Sequence, residues 1–232
     1  MSEASELLML APSGRVLSDH IAAELREAII ADRLKAGQHI VEREIAEAMQ
    51  TSRGPVRDAL LQLESEGLVV RYPHRGTFVT RLTNEDAAEI YSLRQGIESL
   101  AVKYVLKRAT PADLKELDAL VQEMAGMIEG SYSISQATEL DLAFHRALCR
   151  ISGHSRALAA WEALSGQTRI LLMSRITRQP REFQDLVVVW HRRLVDALRE
   201  RNLDLAQEEL RKHLAATLNR FLHPAQTEED PE

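Results

Sequence analysis

A mainly α-helical fold in two parts, a winged helix-turn-helix followed by an all-α bundle of six helices, is predicted by three features of this 232-residue chain. The stretch Ile45–Val79 reads as two short helices across a polar break, then two short β-runs around a basic turn. Beyond Arg81 the pattern changes to long helices only. Aromatic residues are few (4%), while Leu, Ala, Glu and Arg abound, the composition of a helical body.

Taken in order, residues 1–14 are expected to form a flexible arm ending in Pro12-Ser13-Gly14. Ser18 and Asp19 then cap a helix running to about Arg33, with Ile21, Leu25, Ala28 and Ile29 as its inner stripe. Lys35-Ala36-Gly37 closes it, and His39–Val41 can add a short strand. In the second helix of the pair, Val56, Ala59, Leu60 and Leu63 recur at helical spacing and should pack inward. Arg53 and Arg57, four residues apart, are left pointing outward. Gly67 sits where a C′ glycine should. Leu68–Tyr72 and Thr77–Arg81 read as strands, with Pro73-His74-Arg75-Gly76 as the turn between them. A helical pair and wing with arginines at two tips suits entry into a DNA groove and a grip on flanking phosphates.

After a boundary near Arg81–Asn84, Thr83 or Asn84 caps a helix from about Glu85 to Lys107. Thr110, with Pro111 at the first helical position, opens the next, to about Ile128. Gly130–Ser135 is a polar loop. Further helices are expected over Gln136–Ser152, Ser155–Ile176, Glu182–Arg201 and Leu203–Leu222, with Pro180 in a loop between the second and third of these. The head is thus expected over residues 15–82 and the bundle over 83–222. Residues 223–232 read as an acidic, disordered tail.

The net charge of −6 describes only the far field. Residues 51–81 hold five Arg or Lys against three acids, whereas Thr227–Glu232 holds four acids and no base. A local basic face can survive an acidic whole, with modest affinity lost steeply as salt rises. One cysteine, Cys149, excludes an intramolecular disulfide and any multi-thiolate zinc site. The N-terminus lacks a basic region ahead of its brief apolar run, and no stretch approaches the roughly 20 apolar residues that span a bilayer. The expectation is a soluble, cytoplasmic protein with no membrane partner.

A second constellation lies in the bundle. Asp141 and His145 are four apart on one helix face, His191 lies on the stripe Val187-His191-Leu194-Leu198, and His213 on Leu210-His213-Thr217-Phe221. One Asp and three His therefore sit on faces that otherwise point inward. Ionisable groups taken out of water need partners. Imidazole nitrogen and carboxylate oxygen are ligands for a divalent transition ion, and Zn, Ni, Mn, Fe and Co all tolerate this set. For any single histidine, a core side chain bonded to a backbone carbonyl is the competing reading.

Ser52-Arg53-x-Pro55-Val56-Arg57-x-Ala59-Leu60-x-x-Leu63, with Gly67-Leu68-Val69 and Arg75-Gly76-x-x-Val79, resembles the winged helix of the GntR family of bacterial transcription regulators. The resemblance implies that Arg43, Arg53 and Arg57 contact DNA. It further implies that Ser52 holds a phosphate and that His74, Arg75 and Gly76 carry the wing into the minor groove. The family usually has proline at the position of Ala36 and often glycine at that of Gln50, which is strained if its φ is positive. Leu93-Arg94-x-x-Ile97-Glu98, Asp141-x-x-Phe144-His145, His191 and His213-Leu214 are similar to the FCD ligand-binding domain of the FadR subfamily, and six helices suggest its shorter, VanR-like branch. In metal-binding members the matching Asp and three His hold a divalent ion beside which small carboxylates are sensed.

These resemblances imply a non-enzymatic transcription regulator, most often a repressor, acting as a homodimer on a palindromic double-stranded operator. A small carboxylate or sugar acid would complete the metal's shell, with Arg94, Arg146 and Arg169 as candidate clamps on its oxygens. Arg94 has a second reading, a salt bridge to Glu98 at i+4. Two rival functions stand beside this one: a purely structural metal with no effector, and a metal-dependent enzyme tethered to DNA. The enzyme would need a placed general base, as in H-E-x-x-H, and the sequence has no such motif.

Overall fold

The computed structural model describes residues 14–31, 33–130 and 132–223. Their elements run α1 (Gly14–Ile30), β1 (His39–Ile40), α2 (Glu42–Ala48), α3 (Arg53–Ser65), β2 (Val69–Tyr72) and β3 (Gly76–Val79). Six helices follow: α4 (Asn84–Arg108), α5 (Pro111–Glu129), α6 (Ile134–Ile151), α7 (Ser155–Arg178), α8 (Pro180–Arg199) and α9 (Leu203–Leu222). The first group lies in one compact unit ending at Arg81, the second in another beginning at Leu82. Apart from Gly14 and His223, the arm and the acidic tail lie outside the described residues. Among the described residues no helix is long and apolar enough to cross a membrane.

In the head unit α1 packs on α3, burying Ile21, Ala22 and Leu25 against the stripe Val56, Ala59, Leu60 and Leu63. The three strands form one antiparallel sheet in the order β1-β3-β2, with Val69 opposite Val79, Tyr72 opposite Gly76 and Ile40 opposite Thr77. Two corrections to the sequence reading belong here. Helix α1 is already formed at Gly14, so Ser18 is no cap; it is buried on the same face as Ile21, Ala22 and Leu25, one turn earlier. The helix also ends at Ile30, before Arg33, with Ala31 N–H still on Glu27 C=O and Arg33 N–H closing onto Ala28 C=O.

Helix ends α2 and α3 close in the same way. After α3, Gly67 (φ +73°) lets Leu68 N–H reach Leu63 C=O at 2.9 Å and Gly67 N–H reach Glu64 C=O at 3.0 Å. After α2, Gln50 takes the equivalent place at φ +51°, with Thr51 N–H on Ala46 C=O and Gln50 N–H on Glu47 C=O. This paired closure needs a left-handed residue, which glycine adopts without a Cβ penalty. Gln50 is exposed and carries that penalty.

In the bundle, α4 and α5 each open on a reciprocal capping box, Thr83 with Asp86 and Thr110 with Asp113. Pro180 is the first residue of α8 instead of a loop residue: its fixed φ suits the first turn, and Gln179 ends α7 and begins α8 at once. Arg201, which the sequence reading placed inside this helix, is a left-handed closing residue (φ +51°). Its guanidinium donates to the carbonyls of Leu106 and Ala109 at the end of α4. The core gathers Val102, Val105, Val121, Met124, Phe144, Leu148, Ile176, Phe183, Leu194 and Leu210 from all six helices.

Gln50→Gly should raise stability by about 0.5–1 kcal/mol by removing the Cβ penalty, read as a higher urea midpoint at unchanged slope. Arg201→Gly should show no such gain, because it also strips the donors from Leu106 and Ala109. The Asp86 and Asp113 carboxyls are held below their ordinary value chiefly by hydrogen bonds from Thr83 and Thr110. Their contribution is therefore present above about pH 4 and lost as pH falls through the lowered folded-state values. Thr110→Ala should cost about 1 kcal/mol at pH 7 and less at pH 2.5, measured by denaturant unfolding at both.

Candidate functional site

In the head, the residues singled out from the sequence gather on α2, the start of α3 and the wing tip. Arg43, in the first turn of α2, is exposed and lies 3.7 Å from Glu47. Ser52 is the extended N-cap of α3, yet its hydroxyl makes no capping hydrogen bond. Pro55 sits in the first turn, where no intrahelical N–H bond is lost. Arg53 and Arg57 project to solvent because the buried stripe of α3 occupies the opposite face. Arg57 Nε donates to Glu42 Oε2 at 2.7 Å. At the wing tip Arg75 N–H donates to Tyr72 C=O at 3.1 Å, with His74 (φ +61°) and Gly76 (φ +98°) making the reversal. The positive φ favours glycine at 76, and a Cβ there would also push the exposed His39 ring, 2.5 Å away, aside. Arg43, Arg53, His74 and Gly76, with His39 and Glu42, line a cleft of about 530 Å³.

The bundle brings Asp141 and His145 of α6, His191 of α8 and His213 of α9 into one buried cluster whose ligand atoms all lie within 4.8 Å of one another. His145 Nε2 is 3.1 Å from His213 Nε2 and 3.9 Å from Asp141 Oδ2, and His191 Nε2 is 3.5 Å from Asp141 Oδ1. Donors about 2.1 Å from a shared ion stand about 3.0 Å apart at right angles and about 3.4 Å apart at the tetrahedral angle. The 3.1 and 3.5 Å separations lie near these values and the 3.9 Å one is wider, and two of the three are longer than good hydrogen bonds.

The other ring nitrogens set the tautomers. His145 Nδ1 donates to Glu98 Oε2 at 2.6 Å, and His191 Nδ1 donates to the Val187 carbonyl at 2.6 Å, one turn earlier on its own helix. Each leaves Nε2 as a lone pair turned into the cluster, the orientation that second-shell bonds give metal-ligating histidines. His191 Nε2 and His213 Nδ1 are buried and lack a hydrogen-bond partner. Burial pushes His191 down to about 4, the pull of Asp141 notwithstanding. Burial, followed by the neighbouring His191 and His145, holds His213 well below the ordinary imidazole value. Both rings are thus neutral at pH 7, the form that binds a metal. Unpartnered buried nitrogens, neutral rings and polyhedral spacing together fit a divalent ion.

Around the cluster, Glu98 of α4 is the organising residue. It accepts from Arg94 Nε at 2.9 Å, from Trp161 Nε1 at 3.1 Å and from His145. Burial would raise its carboxyl, but the Arg94 guanidinium and then His145 bring it down to about 2. Arg94 is itself buried, with one terminal guanidinium nitrogen lacking a partner. The salt bridge to Glu98 at i+4 is formed through Nε. Arg146 and Arg169 are each paired with an acid. Arg146 is exposed and bonded to Glu162, and Arg169 pairs with Glu139, because both lie on sides of α6 and α7 facing acids of the neighbouring helix. The second arginine whose charge reaches His213 and Tyr91 is Arg175, buried on α7 with its guanidinium over Phe183. Sequence reasoning missed it, although its place beside Leu171, Leu172 and Ile176 on a buried stripe was a signal. Trp190 is half-buried with its ring 6.4 Å from that of His213.

Glu98→Ala should destabilise the bundle by about 3–5 kcal/mol, since it leaves the buried Arg94 charge uncompensated. Glu98→Gln, which keeps an acceptor but no charge, should fall between that variant and wild type in urea unfolding.

Two family models match the chain, one in each unit. The profile of the bacterial regulatory proteins of the gntR family matches residues 17–79, and that of the FCD domain matches residues 89–216. An HTH-type transcriptional regulator in an unstable DNA locus of Streptomyces ambofaciens is 30% identical over 91% of this chain and 87% of its own. The probable D-xylose utilization operon transcriptional repressor of Paenarthrobacter nicotinovorans is 29% identical over 93% and 95%. The gluconate operon transcriptional repressor of Bacillus licheniformis is 28% identical over 83% and 80%. Among solved structures, E. coli McbR/YncC superposes with a TM-score of 0.71 at 22% identity, covering 89% of this chain and 97% of the other, which speaks for the fold alone. The chain belongs to the GntR family of bacterial transcription regulators, with an FCD domain as its C-terminal half.

Proposed function

We propose that this GntR-family regulator is a repressor whose hold on a palindromic operator, gripped as a homodimer, is modulated by a small carboxylate or sugar acid. The effector would bind at a divalent transition metal in the FCD domain. The observation that carries this reading is the cluster of four buried donors beside the uncommitted end of Arg94. Asp141, His145, His191 and His213 would hold the ion, Glu98 and the Val187 carbonyl fixing two of the rings. The metal would supply a Lewis-acid seat with one or two positions left for an effector oxygen. Arg94 would clamp the effector's other oxygens through its terminal nitrogen. Two relatives are named as repressors of sugar and sugar-acid operons, which supports both the sign of the regulation and the class of effector.

In the head, Arg43, Arg53 and Arg57 supply the cations. The N-terminus of α3, with the Ser52 hydroxyl unused for capping, is a natural seat for a phosphate. The His74-Arg75-Gly76 tip would enter the minor groove. One short recognition helix reads few base pairs, and a two-fold dimer doubles them. An effector with different affinity for the two arrangements of the heads shifts their equilibrium, and DNA reciprocally shifts effector affinity.

A purely structural metal is the second reading, favoured by one observation: the four donors are all buried and Arg94 Nε is already tied to Glu98. Thermal unfolding separates the two, using metal-loaded wild type, chelator-stripped wild type and His191→Ala against a panel of small carboxylates and sugar acids. One acid should raise the midpoint of the loaded wild type only, by about 2.7 kcal/mol of added stability at a hundredfold excess over its dissociation constant. Arg94→Ala should lose that response while keeping the response to metal. A midpoint lowered by chelation yet indifferent to every acid supports the structural reading.

A further inference from the structure

Arg57 stands on the exposed face of α3, yet it is not a free cation. Its Nε–H donates to Glu42 Oε2 at 2.7 Å, a contact made across fifteen residues from the first turn of α2. Glu42 is the more sheltered partner, with 28% of its side chain exposed against 58% for Arg57. The bond engages Nε, so the two terminal nitrogens of this largely exposed side chain take no part in it. Those two nitrogens are the pair an arginine uses for a bidentate contact to guanine O6 and N7. Arg43, by contrast, meets Glu47 only at 3.7 Å.

A carboxylate beside a DNA-reading arginine has two effects of opposite sign. It repels the phosphates and so weakens binding to every sequence. It also fixes the plane of the guanidinium before binding, lowering the entropy lost when the fork engages one base. We propose that Glu42 is a positioning residue for sequence readout. It holds the Arg57 fork for a guanine in the major groove and trades overall affinity for discrimination. This rests on the reading of the head as a DNA-binding surface.

The test begins with a pool of duplexes randomised over 20 base pairs, from which wild type selects a preferred sequence. Binding to that duplex and to a scrambled one of equal length is then measured by fluorescence anisotropy at two salt concentrations. The proteins are wild type, Glu42→Ala, Glu42→Gln, Arg57→Ala and the double Ala variant. Glu42→Ala should bind the scrambled duplex two- to fivefold more tightly while its ratio of selected to scrambled affinity drops roughly tenfold. Glu42→Gln, which keeps the acceptor, should retain more of the ratio than Glu42→Ala. In the Arg57→Ala background, removing Glu42 should no longer change the ratio, because the two act as one unit. A ratio within twofold of wild type in Glu42→Ala overturns the proposal, as does an undiminished effect of Glu42→Ala when Arg57 is absent. Failure of wild type to enrich any sequence would instead overturn the DNA-binding reading itself.

Discussion

The Glu98 carboxylate, buried at the centre of the bundle, takes hydrogen bonds from Arg94 one turn earlier on α4, from His145 on α6 and from Trp161 on α7. One anion therefore ties three helices together and sets the tautomer of a histidine. A charge of this kind is tolerated in the interior only when it is paired and its lone pairs are satisfied. Glu98 meets both conditions and is brought down to about 2, despite a burial that by itself would raise it. Arg94, held by the same bond, keeps its charge in the interior.

Orientation and protonation of the donors follow from this arrangement. With Nδ1 committed to Glu98, the Nε2 lone pair of His145 faces the cluster, and the Val187 carbonyl does the same for His191. Burial holds His191 and His213 below the ordinary imidazole value, so both rings offer lone pairs even in mildly acidic solution. The apolar shell, Phe144 edge-on to both His145 and His191, is thus part of the chemistry as well as of the packing. In the head an analogous device works at the surface, where Glu42 steadies Arg57.

Much of this was legible in the sequence because it is local. Thr83, Thr110 and Pro111 mark helix starts by their own chemistry, and Gly67 marks an end. The spacing of Val56, Ala59, Leu60 and Leu63 fixes which side of α3 leaves Arg53 and Arg57 outside. Asp141, His145, His191 and His213 each lie on an apolar stripe, so a helical reading alone turns all four inward. The less legible features depend on pairings between distant residues. Trp161 meets Glu98 across 63 positions, and Glu42 meets Arg57 across fifteen, through packing that no local period encodes. The pairs Arg146–Glu162 and Arg169–Glu139 join α6 to α7 in the same non-local way. Ser18 looked like a cap because its residue type suits one, whereas its place on the buried face of α1 decides its role.

The claim that the cluster is a metal centre is tested most directly by metal content. Full-length protein would be dialysed against limiting divalent ions, gel-filtered and analysed by plasma mass spectrometry beside Asp141→Asn and His213→Ala. The account predicts close to one ion per chain in wild type and a loss of at least tenfold in occupancy in either variant, each still folded by circular dichroism. Folded wild type that carries no ion, or variants that retain a full complement, would contradict it.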